Sequence, residues 1–241
     1  MVHVVLIHGG GHGGWCWTDT QQYLTGAGIS SSAPDLPGSG ADKTPRAGIT
    51  LDSYIDSTIA HIDAIDDDVL LVGHSIAGLT LPAVAAARPH RICHVLFIAG
   101  LVTGANERGI DSIPEDRRSS YFDRANQSVD RSFTPDFAHA WDRFFPALAE
   151  QQAQRVYAKL TPQPLAPYLQ ENPVDMADVD IPRSYILLDG DRTFPIPLAR
   201  RFAKQAGVEP VVRRGDHCWM ITDPHACANA IAEVAWPLAD R

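Results

Sequence analysis

Short apolar runs alternate along the chain with stretches in which apolar residues recur every three or four positions. The apolar runs predict six β-strands, at residues 2–8, 29–33, 69–73, 92–99, 184–188 and 208–213. Helices are expected between them, at residues 51–65, directly after residue 75, and at residues 197–205 and 224–239. Strands that alternate with helices are typical of a mostly parallel sheet covered by helices on both faces, so the predicted fold class is α/β.

One stretch, residues 101–180, breaks this alternation, and we call it the insertion. It mixes charged and helix-forming residues with aromatic side chains, among them Tyr121, Phe122, Phe133, Phe137, Trp141, Phe144 and Phe145. The pattern predicts a helical insertion that begins at the end of a strand. Ligands of open α/β sheets bind at that edge, so a lid over a site is favoured over a second helical layer that only covers the sheet edge.

Length and charge limit the classes of protein. The chain has 241 residues, which fits one α/β domain over residues 1–241. Its 20 Lys and Arg residues against 29 Asp and Glu residues give a net charge of -9. Because an acidic protein repels phosphate backbones and anionic membrane surfaces, neither nucleic acid nor a membrane is expected as a partner.

The cysteines and the N-terminal run suit a reducing compartment. No CxxC pair and no spacing typical of a metal site or a disulfide framework occurs among Cys16, Cys93, Cys218 and Cys227. The run MVHVVLIHGG carries no basic leader or small-residue cleavage site, and it is too short to span a bilayer. We therefore expect a first strand here and a cytoplasmic location.

The stretch LLVGHSIAGLTL, residues 70–81, places Ser75 between a predicted strand and a predicted helix. GxSxG in this context is the nucleophile elbow, here with Ala77 in place of the second glycine. The first N–H groups and the positive dipole end of the helix would face negative charge that develops at the serine, which supplies half of an oxyanion hole. A glycine-rich turn with an incidental serine is the alternative for the five-residue pattern alone.

A serine hydroxyl is a poor nucleophile unless an oriented base takes its proton. In chain order this motif continues with an acid and then a histidine. The segment YILLDGDRTFP ends a predicted strand with Asp189 and Asp191, and VVRRGDHCWM ends the next with Asp216 and His217. His217 is the candidate base because it lies late in the chain and directly after a strand. Asp191 is the first choice for the acid and Asp189 the second, whereas Asp216 is expected to face solvent or cap a turn.

The glycine-rich segment IHGGGHGGWCW follows the first strand and is expected to supply the second oxyanion donor. His8 and His12 stand four residues apart in it. A metal pair is a weak interpretation, because the segment is not helical and no carboxylate lies close by. His8 is expected to hydrogen-bond the loop, and Trp15 and Trp17 are expected in the core.

Several segments, in this order and at these spacings, resemble the α/β-hydrolase superfamily: LIHGGGHGGWCW, DLPGSGADKTP, LLVGHSIAGL, LLDGDRTFPIP and GDHCWM. The nearest resemblance is to the branch that contains plant methylesterases, the salicylate-binding esterase, hydroxynitrile lyases and bacterial carboxylesterases of similar length. The resemblance covers nearly the whole chain. It implies that Ser75 is the nucleophile, His217 the base and Asp191 the acid. It also implies that the N–H groups of Gly10 and Ile76 form the oxyanion hole, and that the insertion shapes the substrate pockets.

Two positions separate the two chemistries of this branch. Its hydroxynitrile lyases typically carry Thr where this chain has Gly9, and Lys directly after the catalytic histidine, where this chain has Cys218. The absence of both favours a serine esterase acting on a small apolar or aromatic ester, with methyl esters and lactones included. A hydroxynitrile lyase, a slow-turnover small-molecule receptor and a specialised biosynthetic step are the alternatives. The resemblance implies no cofactor or metal, a small-molecule ester as partner, and leaves a homodimer open.

Overall fold

A parallel β-sheet forms the centre of the computed structural model, which describes residues 2–239. In chain order the strands are β1 Val2–Ile7, β2 Ser30–Ser32, β3 Asp68–His74, β4 Ile92–Ile98, β5 Ser132–Phe133, β6 Gln163–Pro164, β7 Arg183–Leu188 and β8 Val211–Arg213. Six of them form one sheet in the order β2-β1-β3-β4-β7-β8, and every neighbouring pair in it is parallel. Strands β5 and β6 form a small antiparallel sheet of their own.

Helices cover both faces of the sheet. They are α1 Thr18–Gly26, α2 Leu51–Asp63, α3 Ala77–Ala87, α4 Glu115–Asn126, α5 Phe137–Phe144, α6 Glu150–Tyr157, α7 Ala166–Leu169, α8 Ile196–Gln205, α9 Trp219–Thr222 and α10 Pro224–Ala239. Two hydrophobic cores lie on opposite faces of the sheet, and successive residues of β1 point into different ones. Val5 belongs to the core with residues of α2, α3 and α8, and Val4 belongs to the core with residues of α1 and α10. Because side chains alternate across a strand, both faces of the sheet must be covered.

The structure confirms the predicted α/β class and all six predicted strands, with boundaries that shift by a few residues. The last strand begins at Val211 rather than at residue 208, because the N–H of Val208 donates to the Ala203 carbonyl at the end of α8. Helix α1 was not among the predicted helices. Its buried residues are only Thr20 and Leu24, so its sequence carries a weak amphipathic pattern.

The insertion contains α4, α5, α6 and α7 together with the small sheet of β5 and β6. Backbone hydrogen bonds attach it to loops at the carboxyl edge of the large sheet. The Thr161 N–H donates to the Gly11 carbonyl over 2.8 Å, and the Cys218 N–H donates to the Phe144 carbonyl over the same distance. The insertion therefore lies against the edge at which Ser75 and His217 are found, and its role as a lid stays a prediction.

Candidate active site

Ser75 occupies the sharp turn between β3 and α3. Its φ of 55° lies in the left-handed region, which is strained for a residue with a side chain. Three backbone hydrogen bonds hold the turn: the Ser75 N–H donates to Ile98, and the Ser75 carbonyl accepts from Gly78 and Leu101 over 2.9 and 2.8 Å. These bonds fix the serine backbone in a conformation that lifts its hydroxyl away from the sheet.

Small residues around the serine allow β3 and α3 to approach. A Cβ added at Gly73 would lie 2.6 Å from the Leu81 side chain and 3.2 Å from the Cβ of Ala77. A Cβ added at Gly78 would lie 2.5 Å from the Leu101 carbonyl oxygen. Ala77 fills its position without a steric conflict of that kind, which explains why alanine can replace the second glycine of the motif.

A chain of hydrogen bonds connects the three residues that the sequence singles out. His217 Nε2 lies 3.0 Å from Ser75 Oγ, and His217 Nδ1 lies 2.8 Å from Asp191 Oδ2. Asp191 is 5% exposed and His217 is 2% exposed. With Nδ1–H donating to the carboxylate, Nε2 is free to accept the serine proton. The arrangement can therefore activate Ser75 as a nucleophile.

The two acids after β7 have different surroundings. Asp191 Oδ1 accepts the N–H groups of Thr193 and Phe194 over 2.6 and 2.9 Å, which fixes the carboxylate below the histidine. Asp189 is exposed, and its carboxylate accepts the Gly215 N–H over 3.2 Å. The structure thus brings Asp191, and not Asp189, to His217.

The expectation that Asp216 faces solvent or caps a turn is wrong, because this residue is only 6% exposed. Its carboxylate accepts the Thr222 hydroxyl over 2.7 Å and the Ala147 N–H over 3.4 Å. Burial raises the pKa of Asp216. The segment of the insertion that follows α5 packs over the loop that contains Asp216. The position of Asp216 directly after a strand does not show which segment will cover it.

Gly10 belongs to the loop after β1 and lines the same cavity as Ser75, and Ile76 directly follows Ser75 at the N-terminus of α3. Within residues 2–239 neither backbone N–H donates to another protein group. The loop after β1 comes very close to the nucleophile, since a Cβ added at Gly9 would lie 3.0 Å from the Ser75 Cβ. Two unpaired N–H groups next to a serine hydroxyl suit the oxyanion of a tetrahedral intermediate.

Gln163 holds the loop after β1 in place, and sequence reasoning missed it. Its Oε1 accepts the Gly11 N–H over 3.1 Å, and its Nε2 donates to the Tyr54 hydroxyl over 3.2 Å. His12 Nδ1 donates to the Gly10 carbonyl over 2.9 Å. A lone glutamine at the end of an insertion carries no sequence signal, because its partners are far away in the chain.

The histidines behind the serine are structural. His8 Nδ1 donates to Gly9 and its Nε2 accepts the Leu36 N–H, which confirms that His8 hydrogen-bonds the loop and leaves no ring nitrogen for a metal. Burial lowers the pKa of His8, lowers that of His12 to about 4, and lowers that of His74 well below its usual value. Burial therefore favours the neutral form of these rings. Trp17 is fully buried and Trp15 is partly buried.

A cavity of about 150 Å³ opens directly in front of Ser75 and His217. Aromatic rings form much of its wall. Tyr121 stacks on Phe133 with ring centroids 4.3 Å apart, and Tyr168 lies 5.8 Å from Tyr121. The insertion supplies this wall, and it also supplies the polar side chains of Arg117, Ser120, Arg124 and Arg143.

Helix α4 presents one face to this cavity, which sequence reasoning also missed. Arg117, Tyr121 and Arg124 line the cavity and follow one another at helical spacings of four and three residues. That spacing is a signal in the sequence that could have identified the face. Nothing in the sequence, however, shows that the face points toward Ser75.

None of the helices within the described range is both long and apolar enough to cross a membrane.

Comparison with protein families matches residues 4–230 to a family described as the alpha/beta hydrolase family. Among curated proteins, the chain is 25% identical to norfluorocurarine synthase 1 of a Strychnos species, over 97% of this chain and 95% of the relative. It is 26% identical to methylesterase 3 of Arabidopsis thaliana, with the same two coverages.

Among solved structures, an extracellular alpha/beta-hydrolase from a Paenibacillus species superimposes with a TM-score of 0.89. The two sequences are 25% identical, and the match covers 97% of this chain and 98% of the other. That protein is described as sharing structural and functional homology with tobacco salicylic acid binding protein 2.

Proposed function

The chain belongs to the alpha/beta hydrolase family, and we propose that within this family it is a serine esterase that hydrolyses small, largely apolar or aromatic carboxylic esters. The observation that carries this proposal is the hydrogen-bond chain from Ser75 through His217 to Asp191 at an aromatic-lined cavity. A methylesterase among the relatives supports the reaction class. Methyl esters and lactones are the first substrates to consider, because neither brings a separate bulky alcohol group into a cavity of about 150 Å³.

In the first half of the reaction Ser75 Oγ attacks the ester carbonyl carbon while His217 Nε2 takes the hydroxyl proton. The negative charge moves to the carbonyl oxygen, where the N–H groups of Gly10 and Ile76 donate to it. Asp191 keeps the ring oriented and stabilises the imidazolium that forms. Collapse of the intermediate breaks the bond to the alcohol oxygen, which leaves with the proton from His217, and Ser75 is acylated.

In the second half a water molecule attacks the acyl-enzyme while His217 Nε2 takes one of its protons. The same two N–H groups hold the oxyanion. The bond from the acyl carbon to Ser75 Oγ breaks, and His217 returns the proton to the serine, so that the carboxylic acid is released and the enzyme is regenerated.

Hydroxynitrile lyase chemistry is less well supported. A Cβ added at Gly9 would lie 2.6 Å from His74 Nδ1, so position 9 has no room for the threonine that such lyases carry. Cys218 is fully buried, and its Sγ lies 3.5 Å from His12 Nε2. A cationic side chain in that position would lose its hydration without gaining an anionic partner.

The test is steady-state turnover of methyl esters, aryl esters and a cyanohydrin by the wild type and Ser75→Ala. We expect multiple turnovers on esters, and a fall of ~10⁴-fold or more in kcat in the variant. Ser119→Ala is the matched control, because Ser119 is exposed and does not line the cavity. Ester turnover that survives in Ser75→Ala would contradict the proposal. Cyanohydrin cleavage alone would identify a lyase, and tight binding without turnover would identify a receptor.

We also propose that the chain folds as a single domain, that the insertion is its lid, and that the protein is located in the cytoplasm. Neither nucleic acid nor a membrane is proposed as its partner. The net charge of -9 and the four free cysteines support this setting. Titration of the denatured protein, purified without reductant, should detect all four thiols. Light scattering after size-exclusion chromatography distinguishes a monomer from a homodimer.

A further inference from the structure

Arg117 is a buried cation whose charge no carboxylate neutralises directly. It is 8% exposed and lines the cavity in front of Ser75. Its Nη1 donates to the Thr193 carbonyl over 2.6 Å, and its other nitrogens have no acceptor within the described range. It forms no ion pair there either. A buried guanidinium with a single neutral acceptor is costly, because the lost hydration of the charge is only partly replaced.

Arg143 lines the same cavity and is also unpaired. Its side chain is half-buried and has neither an ion pair nor a hydrogen bond with any residue from 2 to 239. Arg143 and Arg117 are close enough for the charge of one to lower the pKa of the other, an effect smaller than that of burial on Arg117. Two cations therefore face one chamber.

Other charged groups at the cavity offset this pair only in part: Asp116 and Asp191 each raise the pKa of Arg117 by less than Arg143 lowers it. Arg124 Nη2 lies 2.8 Å from Asp136 Oδ2, and His139 Nδ1 lies 2.8 Å from Asp136 Oδ1. Both side chains therefore already have a carboxylate partner. Asp116 is an exposed carboxylate at the cavity, and among the described residues it forms no ion pair with either arginine.

Thr193 connects both arginines to the catalytic acid. Its carbonyl accepts from Arg117, its hydroxyl donates to the Arg143 carbonyl over 3.1 Å, and its N–H donates to Asp191 Oδ1. The Arg117 guanidinium and the backbone of Arg143 are thus held close to the catalytic acid, and both arginines line the cavity in front of Ser75. A group bound to them would lie in the same cavity as the ester that Ser75 attacks.

We propose that Arg117 and Arg143 form an anion subsite, and that the preferred substrate is a small ester carrying a carboxylate group. This inference rests on the proposed esterase function and specifies its substrate class. Guanidinium groups bind carboxylates through paired hydrogen bonds with a planar geometry. The aromatic wall holds the apolar part of the substrate between the carboxylate and the ester.

The experiment compares matched pairs of esters. One series is the monomethyl esters of succinic, glutaric and adipic acid, each paired with a neutral methyl ester in which an isopropyl group replaces the free carboxylate. A second series carries the carboxylate on the alcohol side, as acetyl esters of short hydroxy acids with the same neutral replacement. We expect the kcat/KM of at least one charged ester to exceed that of its neutral partner by roughly tenfold or more.

Arg143→Met and Arg117→Met should each lower the ratio of kcat/KM on a charged ester to kcat/KM on its neutral partner roughly tenfold. Arg143→Met keeps the test decisive if the buried Arg117 variant does not fold. Arg155→Gln removes one exposed positive charge from α6 and should leave the preference unchanged. Equal kcat/KM for charged and neutral esters in the wild type, or a preference that both arginine variants retain, would overturn the subsite.

Failure of the esterase function gives a different result. In that case no ester, charged or neutral, shows turnover that depends on Ser75, and the subsite is then tested by calorimetric titration of the wild type with glutarate. Binding that Arg143→Met weakens roughly tenfold or more would support the subsite. Absence of binding by succinate, glutarate and adipate would overturn it.

Discussion

The two walls of the cavity differ in how their polar groups are satisfied. On the sheet edge, each polar side-chain atom of Ser75, His217 and Asp191 has a partner within the protein. On the insertion, Arg117 makes one hydrogen bond through its guanidinium, and Arg143 makes none in the part of the chain that the structure describes. The side chains of Ser75, His217 and Asp191 are hydrogen-bonded without a ligand, whereas the two guanidinium groups keep most of their donors unused within the described residues.

This difference separates reaction chemistry from selectivity. A nucleophile and its base must be preorganised before the substrate arrives, so their hydrogen bonds are made inside the protein. Groups that select a substrate must keep some of their bonding capacity unused. Changes to the sheet edge should therefore act on turnover with every ester, whereas changes to the arginines should act on the choice among esters.

The largest effect is expected for the carboxylate that orients the base. Asp191→Asn should lower kcat by ~10⁴-fold on all esters, because the neutral amide does not stabilise the imidazolium and its NH₂ group can donate to Nδ1, which favours the wrong tautomer of His217. Asp189→Asn is the matched control from the same loop and should retain most activity. Steady-state kinetics with one neutral ester measures both, and the reverse order would transfer the role to Asp189.

The next effect concerns the close approach of α3 to Leu101. A methyl group at Gly78 would press against the Leu101 carbonyl oxygen 2.5 Å away, so Gly78→Ala should lower the free energy of unfolding by about 1–3 kcal/mol. Gly26→Ala introduces the same methyl group where no atom lies within 4 Å. Urea denaturation should show no loss of stability for that control. Equal losses in the two variants would argue against close packing at Gly78.

A third test addresses the neutral histidines behind the serine. The unfolded chain binds a proton at position 12 below pH 6.5, whereas the pKa of His12 in the folded protein is about 4. Unfolding therefore takes up a proton in this window, and stability falls as the pH is lowered from 6.5 toward 4.

The loss attributable to His12 should be about 1–3 kcal/mol, measured by urea denaturation at several pH values. His12→Gln should flatten the pH dependence, since glutamine does not titrate. His90→Gln removes an exposed histidine and should leave the dependence as in the wild type. A His12→Gln curve parallel to that of the wild type would contradict the assignment.

The smallest effect is expected where the insertion supports the loop after β1. Gln163→Leu removes the acceptor of the Gly11 N–H, and we expect a fall of about tenfold in kcat with little change in KM, because the loop donor would move relative to the oxyanion. Tyr54→Phe removes only the partner at the other end of the glutamine side chain, so kcat should change less. A larger effect from Tyr54→Phe would point to packing and not to the loop.

Much of the fold and of the sheet-edge site could be predicted from the sequence. Strand patterns are local, and parallel strands bring their carboxyl ends to one edge, so the order of Ser75, Asp191 and His217 along the chain already predicts their proximity. The choice between Asp191 and Asp189 could not be made from the residues alone. It depends on the N–H groups of Thr193 and Phe194, which bind the Asp191 carboxylate and orient it toward the histidine.

The sequence by itself determined the α/β class, the strained serine turn and the identity of the catalytic candidates, because each depends on local pattern, small residues or chain order. Only the tertiary structure decided which acid meets His217, that Asp216 is buried, and that Arg117 and Arg143 face the nucleophile. Those outcomes depend on how the insertion packs against the sheet edge. That packing joins segments far apart in the chain, and no local pattern encodes which side chains it leaves buried without a partner.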